Sequence, residues 1–220
     1  MDYKTLAEQT ANTLNDFMAS LPAGQQEIVA AAFKELLASN VADNAPAAGD
    51  QAPDFVLPNV RGERLSLSAA LDSGPVVLSF YRGSWCPFCN LELNALQQRM
   101  PEIRACGARL IAVSPEKPDS SLNHAEKMGL EFDVLSDLGN QVAQRYGLVM
   151  QVAESMRPLY LEWGLNLPAA NGDDSYEIPV PATYVIDRRG TIQAAYVDKD
   201  YTRRMEPAQI INALQTIKTP

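Results

Sequence analysis

The stretch PVVLSFYRGSWCPFC, residues 75–89, decides the fold of this 220-residue chain. Its first seven residues are almost all apolar, and such a run predicts a strand buried on both faces of a sheet. Cys86 follows Tyr81 at a short distance and stands directly before Pro87, a residue that favours the first turn of a helix. The pattern therefore predicts a buried strand that leads into a helix with Cys86 and Cys89 at its start.

The two cysteines stand where the start of a helix activates a thiol. Backbone N–H groups at a helix N-terminus favour an anion, so we expect a lowered pKa and more thiolate at Cys86. Cys89 lies one turn along the same face, where it can attack a mixed disulfide or a sulfenic acid on Cys86. Trp85 and Phe88 provide apolar walls, and Arg82 is close enough in sequence to add positive charge.

The flanking sequence alternates strands and helices, which is typical of an α/β sheet with helices on both faces. From the cysteines onwards the pattern predicts a helix to about residue 105, strand 108–114, helix 121–128, strand 132–135, helix 138–146, helix 154–163, a hairpin of strands 182–187 and 191–196, and helix 207–217. A shorter hairpin of strands is predicted upstream, over 55–58 and 64–67. Pro181, directly before a buried strand, is predicted to be a cis proline on a loop facing the cysteines.

Two helical stripes precede this region. The first begins at Tyr3 and ends at the breaker Leu21-Pro22-Ala23-Gly24, and the second runs from Ile28 to Leu37. We therefore predict a helical N-terminal extension over residues 1–44 and an α/β domain over residues 45–220. The stripes leave open whether the extension packs on its own domain or on another subunit, and a homodimer is one alternative.

Composition limits the partners and the location. The net charge is −9 and no run of Lys or Arg occurs, so neither nucleic acid nor an anionic membrane is expected as the main partner. Residues 1–5 do not resemble a secretory leader, and no apolar stretch approaches the length of a membrane span. We expect a soluble, cytoplasmic protein, where a CxxC pair indicates redox or metal chemistry more than a structural disulfide framework.

Four segments carry a resemblance to a known family. Residues 80–93 (FYRGSWCPFCNLEL), 52–58 (APDFVLP), 168–174 (PAANGDD) and 181–187 (PATYVID) resemble the peroxiredoxin-like branch of the alkyl hydroperoxide reductase/thiol-specific antioxidant (AhpC/TSA) family. The resemblance spans roughly residue 49 to the C-terminus. It implies a thioredoxin fold and reduction of hydrogen peroxide or organic hydroperoxides. It also implies a peroxidatic Cys86, a resolving Cys89 and a thioredoxin- or glutaredoxin-like reductant.

The chain departs from the family pattern at three positions. A typical peroxiredoxin has Thr or Ser three residues before the peroxidatic cysteine and Pro seven residues before it, and here these positions hold Gly83 and Ser79. A typical peroxiredoxin also has an Arg just before the strand that matches residues 182–187. This chain has Pro181 there, as thioredoxins do. Two alternatives to the peroxidase therefore stay open. One is a thiol-disulfide oxidoreductase with little peroxidase activity, and the other is a non-catalytic redox sensor.

The predicted site consists of Cys86 and Cys89 as catalytic residues. The residues expected to support them are Arg82, Ser84, Trp85, Pro87, Pro181 and Thr183. Ser84 is included because it offers a hydroxyl near the missing Thr. No metal or organic cofactor is expected, since a zinc site usually takes four ligands and the only further Cys or His side chains are Cys106 and His124. Cys106 is expected to be a packed free thiol, too far along the chain to pair with the CxxC.

Overall fold

The computed structural model describes residues 4–59 and 61–217, and within these it leaves the side chains of residues 119, 120 and 122–124 undescribed. Tyr3 of the first predicted stripe and the side chain of His124 lie outside the described part. The helices are α1 Leu6–Ser20, α2 Ala23–Ala38, α3 Leu67–Ser73, α4 Pro87–Gln98, α5 Met100–Ala105, α6 Pro118–Met128, α7 Gln141–Arg145, α8 Arg157–Glu162, α9 Leu167–Asn171 and α10 Pro207–Thr216. The strands are β1 Val56–Pro58, β2 Arg64–Ser66, β3 Val76–Phe80, β4 Arg109–Ser114, β5 Asp133–Ser136, β6 Val149–Gln151, β7 Glu177–Pro179, β8 Ala182–Ile186 and β9 Ile192–Val197.

A five-stranded sheet forms the centre of the molecule, in the order β5-β4-β3-β8-β9. Strands β3, β4 and β5 are parallel, and β8 runs antiparallel to both β3 and β9. Every residue of β3 is buried, because helices cover both faces of the sheet. On one face Leu78 and Phe80 pack with Tyr146, and on the other Val77 packs with Leu96. The predicted α/β thioredoxin-like fold is therefore confirmed.

Several predicted elements differ from the observed ones in detail. The helix predicted to run to about residue 105 is interrupted at Arg99, because Pro101 has no N–H to donate and its ring clashes with the preceding turn. The short helix α3 and the β6–β7 hairpin had no clear sequence signal. The predicted cis peptide bond before Pro181 is wrong, since every peptide bond in the described residues is trans. A proline before a strand allows either isomer, and trans is the common one.

The N-terminal helices pack on their own chain. Helix α1 contacts α4, and its first N–H groups at Leu6 and Ala7 donate to the carboxylate of Glu206, at 3.2 and 2.8 Å. Phe33 of α2 makes an edge-to-face contact with Tyr201, with ring centroids 5.4 Å apart. The boundary at residues 44 and 45 between an extension and a domain stays a prediction. Among the described residues, no helix combines the length and the apolar character that crossing a membrane requires.

Candidate active site

The two cysteines lie where β3 leads into α4. Cys86 is the N-cap residue of α4, with an extended backbone conformation, and Pro87 occupies the first turn. Cys89 is the third helical residue, so its backbone N–H is one of those left free by the helix. Both cysteines are 0% exposed, and both are free thiols. The predicted strand–helix arrangement thus brings the two sulfurs together in the interior of the protein.

Arg82 brings a buried positive charge to Cys86. Its Nη1 donates toward the Cys86 sulfur at 3.8 Å, and its Nη2 donates to the hydroxyl of Tyr160 at 2.8 Å. The guanidinium carbon lies 4.0 Å from the ring centroid of Tyr201 and 4.9 Å from that of Trp85. Burial acts to lower the pKa of Arg82, but Tyr160 and Cys86 together raise it, so the guanidinium stays charged.

A second buried arginine lies against the other sulfur. Arg204 Nη2 donates to the Cys89 sulfur at 3.4 Å, and Arg204 Nε donates to Glu92 Oε2 at 2.7 Å. The other carboxylate oxygen, Oε1, accepts from the Thr183 hydroxyl at 3.0 Å. The side chains of Arg204 and Glu92 are each only 2% exposed, so this ion pair is shielded from water. Thr183 therefore reaches the cysteines through Glu92 and Arg204 rather than directly.

The surroundings separate the pKa values of the two cysteines. Burial acts to raise the pKa of Cys86, but the neighbouring Cys89 thiol and N–H and the charges of Arg82 and Arg204 bring it down to about 5. The pKa of Cys89 lies well above its ordinary value because of burial and the negative charge on Cys86. At neutral pH Cys86 is therefore the thiolate and Cys89 the thiol, which is the assignment of roles that a nucleophile and a resolving cysteine need.

Of the remaining predicted residues, Trp85 and Pro87 line a cavity beside the cysteines, whereas Ser84 and Pro181 do not. Ser84 does not turn to the sulfurs; its hydroxyl donates to Glu116 at 2.8 Å, and its N–H donates to the same carboxylate at 2.7 Å. Trp85 packs against Tyr160, with ring centroids 5.6 Å apart. Pro181 is buried and directly precedes β8, next to the end of β3 from which the cysteine segment emerges.

Two adjoining cavities of about 330 and 300 Å³ open beside the cysteines. They share Val29 of α2, Arg82, Met156, Tyr160 and Tyr201 in their walls. The first also reaches β6, and the second extends along the aromatic rings to Pro87 and Trp163. Because Arg82 lines both cavities and also contacts Cys86, a small molecule that enters them meets the guanidinium next to the thiolate.

Cys106 lies far from this site. It lines a cavity with Gly74 and Pro75, at the beginning of β3, whereas Cys86 and Cys89 follow the other end of that strand. It is half-buried and free, as the sequence predicts for a packed thiol. Within residues 4–59 and 61–217, no group of three or more His, Cys, Asp or Glu side chains is arranged to hold a metal ion.

Sequence reasoning missed four residues of the site: Glu92, Tyr160, Tyr201 and Arg204. Glu92 had a signal, because a charged residue one helical turn after Cys89 on an otherwise buried face must find a partner. Arg204 had none, since nothing in the sequence relates it to residues more than a hundred positions earlier. The two tyrosines stand in segments whose placement over the site only the tertiary fold determines.

Comparison with known proteins agrees with this geometry. The sequence model of the AhpC/TSA family matches residues 48–195, more than half of the chain. The chain belongs to the AhpC/TSA family. The resemblance found in the sequence is thereby confirmed, and the matched range includes Arg82, Cys86, Cys89 and Thr183 but ends before Arg204.

Relatives within the family include peroxiredoxins from bacteria and plants. Peroxiredoxin Bcp of Escherichia coli (strain K12) is 34% identical over 101 residues, which are 46% of this chain and 64% of that protein. The chloroplastic peroxiredoxin Q of Populus jackii is 30% identical over 148 residues, which are 67% of this chain and 59% of that protein. The chain thus matches less than two thirds of the length of either relative.

Solved structures show the same fold. The crystal structure of peroxidoxin BcpB from Mycobacterium tuberculosis matches with a TM-score of 0.62 at 22% identity, over 79% of this chain and 99% of that one. A peroxiredoxin-like protein from Aquifex aeolicus matches with a TM-score of 0.61 at 16% identity, over 78% of this chain and 89% of that one. At these identities the likeness supports the architecture alone.

Proposed function

We propose that this protein is a thiol peroxidase that reduces hydrogen peroxide or organic hydroperoxides through Cys86 and Cys89. The observation that carries the proposal is the contact between Arg82 and Cys86, which places a permanent cation 3.8 Å from a buried sulfur. With a pKa of about 5, Cys86 is ionised at neutral pH. The thiolate is the form that attacks peroxide oxygen. Membership of the AhpC/TSA family supports the same chemistry.

The reaction divides into three steps. The Cys86 thiolate attacks one peroxide oxygen, the O–O bond breaks, and the departing oxygen takes a proton to leave as water or an alcohol. Cys86 is then a sulfenic acid. Cys89 attacks its sulfur, an S–S bond forms, the S–O bond breaks, and the hydroxyl leaves as water. A dithiol reductant of the thioredoxin or glutaredoxin type restores both thiols by disulfide exchange.

The supporting residues have separate parts in this proposal. Arg82 stabilises the Cys86 thiolate and lines the cavities from which the peroxide approaches. Pro87 begins α4, and with it the free N–H groups that face the sulfur. Trp85 borders the second cavity. Thr183 holds Glu92 in place, while Ser84 fixes the loop before Cys86 through Glu116.

A thiol-disulfide oxidoreductase is the second candidate. It is favoured by the positions where a typical peroxiredoxin has Thr and Pro, which hold Gly83 and Ser79 here. Both sulfurs are 0% exposed, so a disulfide substrate, a hydroperoxide and a dithiol reductant all require the cover over the cysteines to open, and burial does not separate the two candidates. Membership of the AhpC/TSA family favours the peroxidase.

The test is stopped-flow oxidation of the fully reduced protein by hydrogen peroxide and by cumene hydroperoxide, followed by tryptophan fluorescence. A rate constant far above that of free cysteine thiolate supports the peroxidase. A rate like that of an ordinary thiol contradicts it, and fast reduction of a disulfide substrate would then support the second candidate. If neither reaction is fast, the redox sensor is the remaining candidate, and it predicts a change of shape or of partner that depends on the disulfide.

Two variants assign the roles in that experiment. Cys86→Ser should abolish the fluorescence change and all turnover, since no nucleophile remains. Cys89→Ser should undergo one oxidation event but fail to recycle through an internal disulfide. Normal steady-state turnover by the Cys89 variant would contradict its role as the resolving cysteine.

We also propose that the protein works in a reducing compartment such as the cytoplasm, since its cycle needs the dithiol to be regenerated. A homodimer stays a prediction, and sedimentation equilibrium of the reduced protein measures it directly.

A further inference from the structure

Arg204 is the cation that touches the second sulfur of the site. Its Nη2 lies 3.4 Å from the sulfur of Cys89, and its Nε lies 2.7 Å from Glu92 Oε2. It also donates to the backbone carbonyls of Tyr201 and Arg203, so the guanidinium is held from three sides. Each cysteine sulfur thus has its own arginine, Arg82 for Cys86 and Arg204 for Cys89.

The charge on Cys86 controls what Arg204 can do in the reduced protein. While Cys86 is a thiolate, it repels a second negative charge and accepts the proton of Cys89, and both effects keep Cys89 neutral. Oxidation of Cys86 to a neutral sulfenic acid removes the repulsion. The guanidinium of Arg204 lies 3.4 Å from Cys89, and ionisation of Cys89 is then opposed only by burial and by the carboxylates of Glu92 and Glu116.

We propose that Arg204 is a catalytic residue of the resolving step, which holds the Cys89 sulfur as a thiolate once Cys86 has been oxidised. That a hydroperoxide oxidises Cys86 rests on the function proposed above. The effect of Arg204 on the ionisation of Cys89 does not depend on that function. The Cys89 sulfur gives its electron pair to the sulfenic sulfur of Cys86, which is reduced as Cys89 is oxidised. The S–O bond breaks, and the departing hydroxide combines with the proton that Cys89 lost, giving water.

Glu92 is a positioning residue in the same proposal. Its carboxylate orients Arg204 through one oxygen and is itself held by the Thr183 hydroxyl through the other. Glu92 is also an anion that competes with Cys89 for the same guanidinium. Removing its charge while keeping its hydrogen bonds should therefore favour the Cys89 thiolate.

The other charged and titratable groups that act on Cys89 come from two neighbouring segments. They are Tyr81 and Arg82 after β3 and Glu116 after β4, while Tyr201 after β9 packs in the same cluster and acts on Cys86. Among these only Arg82 is a cation, and its guanidinium is directed at Cys86 and Tyr160. Arg204 is the cation in contact with the Cys89 sulfur.

The experiment measures the pKa of Cys89 in a Cys86→Ser background, where the neutral serine reproduces the loss of charge at residue 86. The pH dependence of thiolate absorbance at 240 nm and of iodoacetamide alkylation is recorded, with Cys106 changed to Ser. Adding Arg204→Met should raise the pKa of Cys89 by roughly one to two units, so about tenfold to a hundredfold less thiolate forms at a given pH below both values. Arg203→Met, at the exposed neighbour, is the matched control and should change nothing.

Two further variants keep the test decisive if Arg204→Met alone fails to fold because Glu92 is left buried without its cation. The double variant Glu92→Gln/Arg204→Met removes both charges, and the pKa of its Cys89 should lie above that of Glu92→Gln alone. Glu92→Gln alone should lower the pKa of Cys89, whereas a purely structural role predicts no shift. An unchanged pKa in all three variants overturns the proposal.

A single-turnover experiment follows the step itself. One equivalent of hydrogen peroxide is added to the reduced protein, and the sulfenic acid is trapped with dimedone at increasing times. In the Arg204→Met protein the sulfenic acid should persist about tenfold longer than in the Arg203→Met control, if ionisation loses one pKa unit. If no sulfenic acid forms in either protein, the proposed peroxidase fails, while the pKa measurement still decides the role of Arg204.

Discussion

The Nη1 atom of Arg82 lies 3.8 Å from the sulfur of Cys86, four residues further along the chain. The short connection between β3 and α4 folds back so that the guanidinium lies between the sulfur, the hydroxyl of Tyr160 and the ring of Tyr201. Hydrogen bonds to charged groups in such water-poor surroundings are among the stronger polar interactions of proteins. We therefore expect this pair to govern the reactivity of the proposed site.

Removing the Arg82 charge should make Cys86 less acidic. In the native protein the rate of alkylation should fall about tenfold for each pH unit below 5 and level off above it, because the pKa of Cys86 is about 5 and only the thiolate reacts. In Arg82→Met the midpoint should rise by roughly one to two units. The measurement is the pH profile of iodoacetamide alkylation, read at residue 86 by mass spectrometry.

The half-buried Arg99 provides the control for that experiment, since its charge pairs with the partly exposed Glu102 rather than with a cysteine. Arg99→Met should leave the midpoint near 5, and Arg82→Lys should lie between the native protein and Arg82→Met. Equal midpoints in the native and Arg82→Met proteins would show that Cys89 and Arg204 lower the pKa of Cys86 without help from Arg82.

Gly83 should tolerate no side chain. Its φ is +150°, and an added Cβ would lie 2.3 Å from Trp85 Nε1 and 3.1 Å from Glu116 Cδ. Gly83→Ala should therefore lower the free energy of unfolding by about 1–3 kcal/mol and shift the Trp85 emission. Urea unfolding followed by fluorescence measures both effects. Gly24→Ala is the control, at a helical position with open space around it, and should be neutral or slightly stabilising. Equal changes in the free energy of unfolding for the two variants would contradict the predicted clash at Gly83.

Glu92 should make stability depend on pH. Burial, opposed by Arg204, raises the pKa of Glu92 from 4.5 to about 7. The native state therefore prefers the protonated carboxyl. The stabilisation of the folded protein by protonated Glu92 is fully present below pH 4.5 and is lost as the pH rises through 7. The Glu92→Gln variant has no carboxyl at this position and should not show this loss. Its free energy of unfolding, relative to that of the protein with Glu92, should therefore rise by on the order of 3 kcal/mol between pH 4.5 and 7.5.

The comparison is made by urea unfolding in a Cys86→Ser/Cys89→Ser background, so that the cysteines do not titrate. Other carboxylates with shifted pKa values, such as Glu116 and Asp137, are present in both proteins and cancel in the difference. A difference that does not vary with pH would mean that Glu92 stays ionised throughout.

Glu206 should tie the first helix to the rest of the protein. Its carboxylate accepts from the N–H groups of Leu6 and Ala7, and it also caps α10. Glu206→Ala should cost about 1 kcal/mol of stability and increase hydrogen exchange throughout α1. Glu27→Ala, at an exposed position of α2, is the control. Unchanged exchange in α1 would indicate that its apolar contacts alone hold the helix.

Much of the architecture follows from the sequence, because the signals are local. The apolar run of β3, the proline at the start of α4 and the hairpin of β8 and β9 each depend on residues that are neighbours in the chain. Elements without such a pattern were missed, among them α3 and the β6–β7 hairpin. The isomer of the bond before Pro181 was predicted wrongly because local sequence permits both.

The candidate site divides in the same way. Local sequence predicts the cysteine pair at a helix start, and it places Arg82 close enough to act. It also finds neither the Thr nor the Arg of a typical peroxiredoxin at the expected positions, at Gly83 and Pro181. The tertiary structure brings a cation to the site from a different part of the chain. Arg204 reaches Cys89 across 115 residues of chain because the segment after β9 crosses over α4, and only that packing buries a second cation beside the sulfurs.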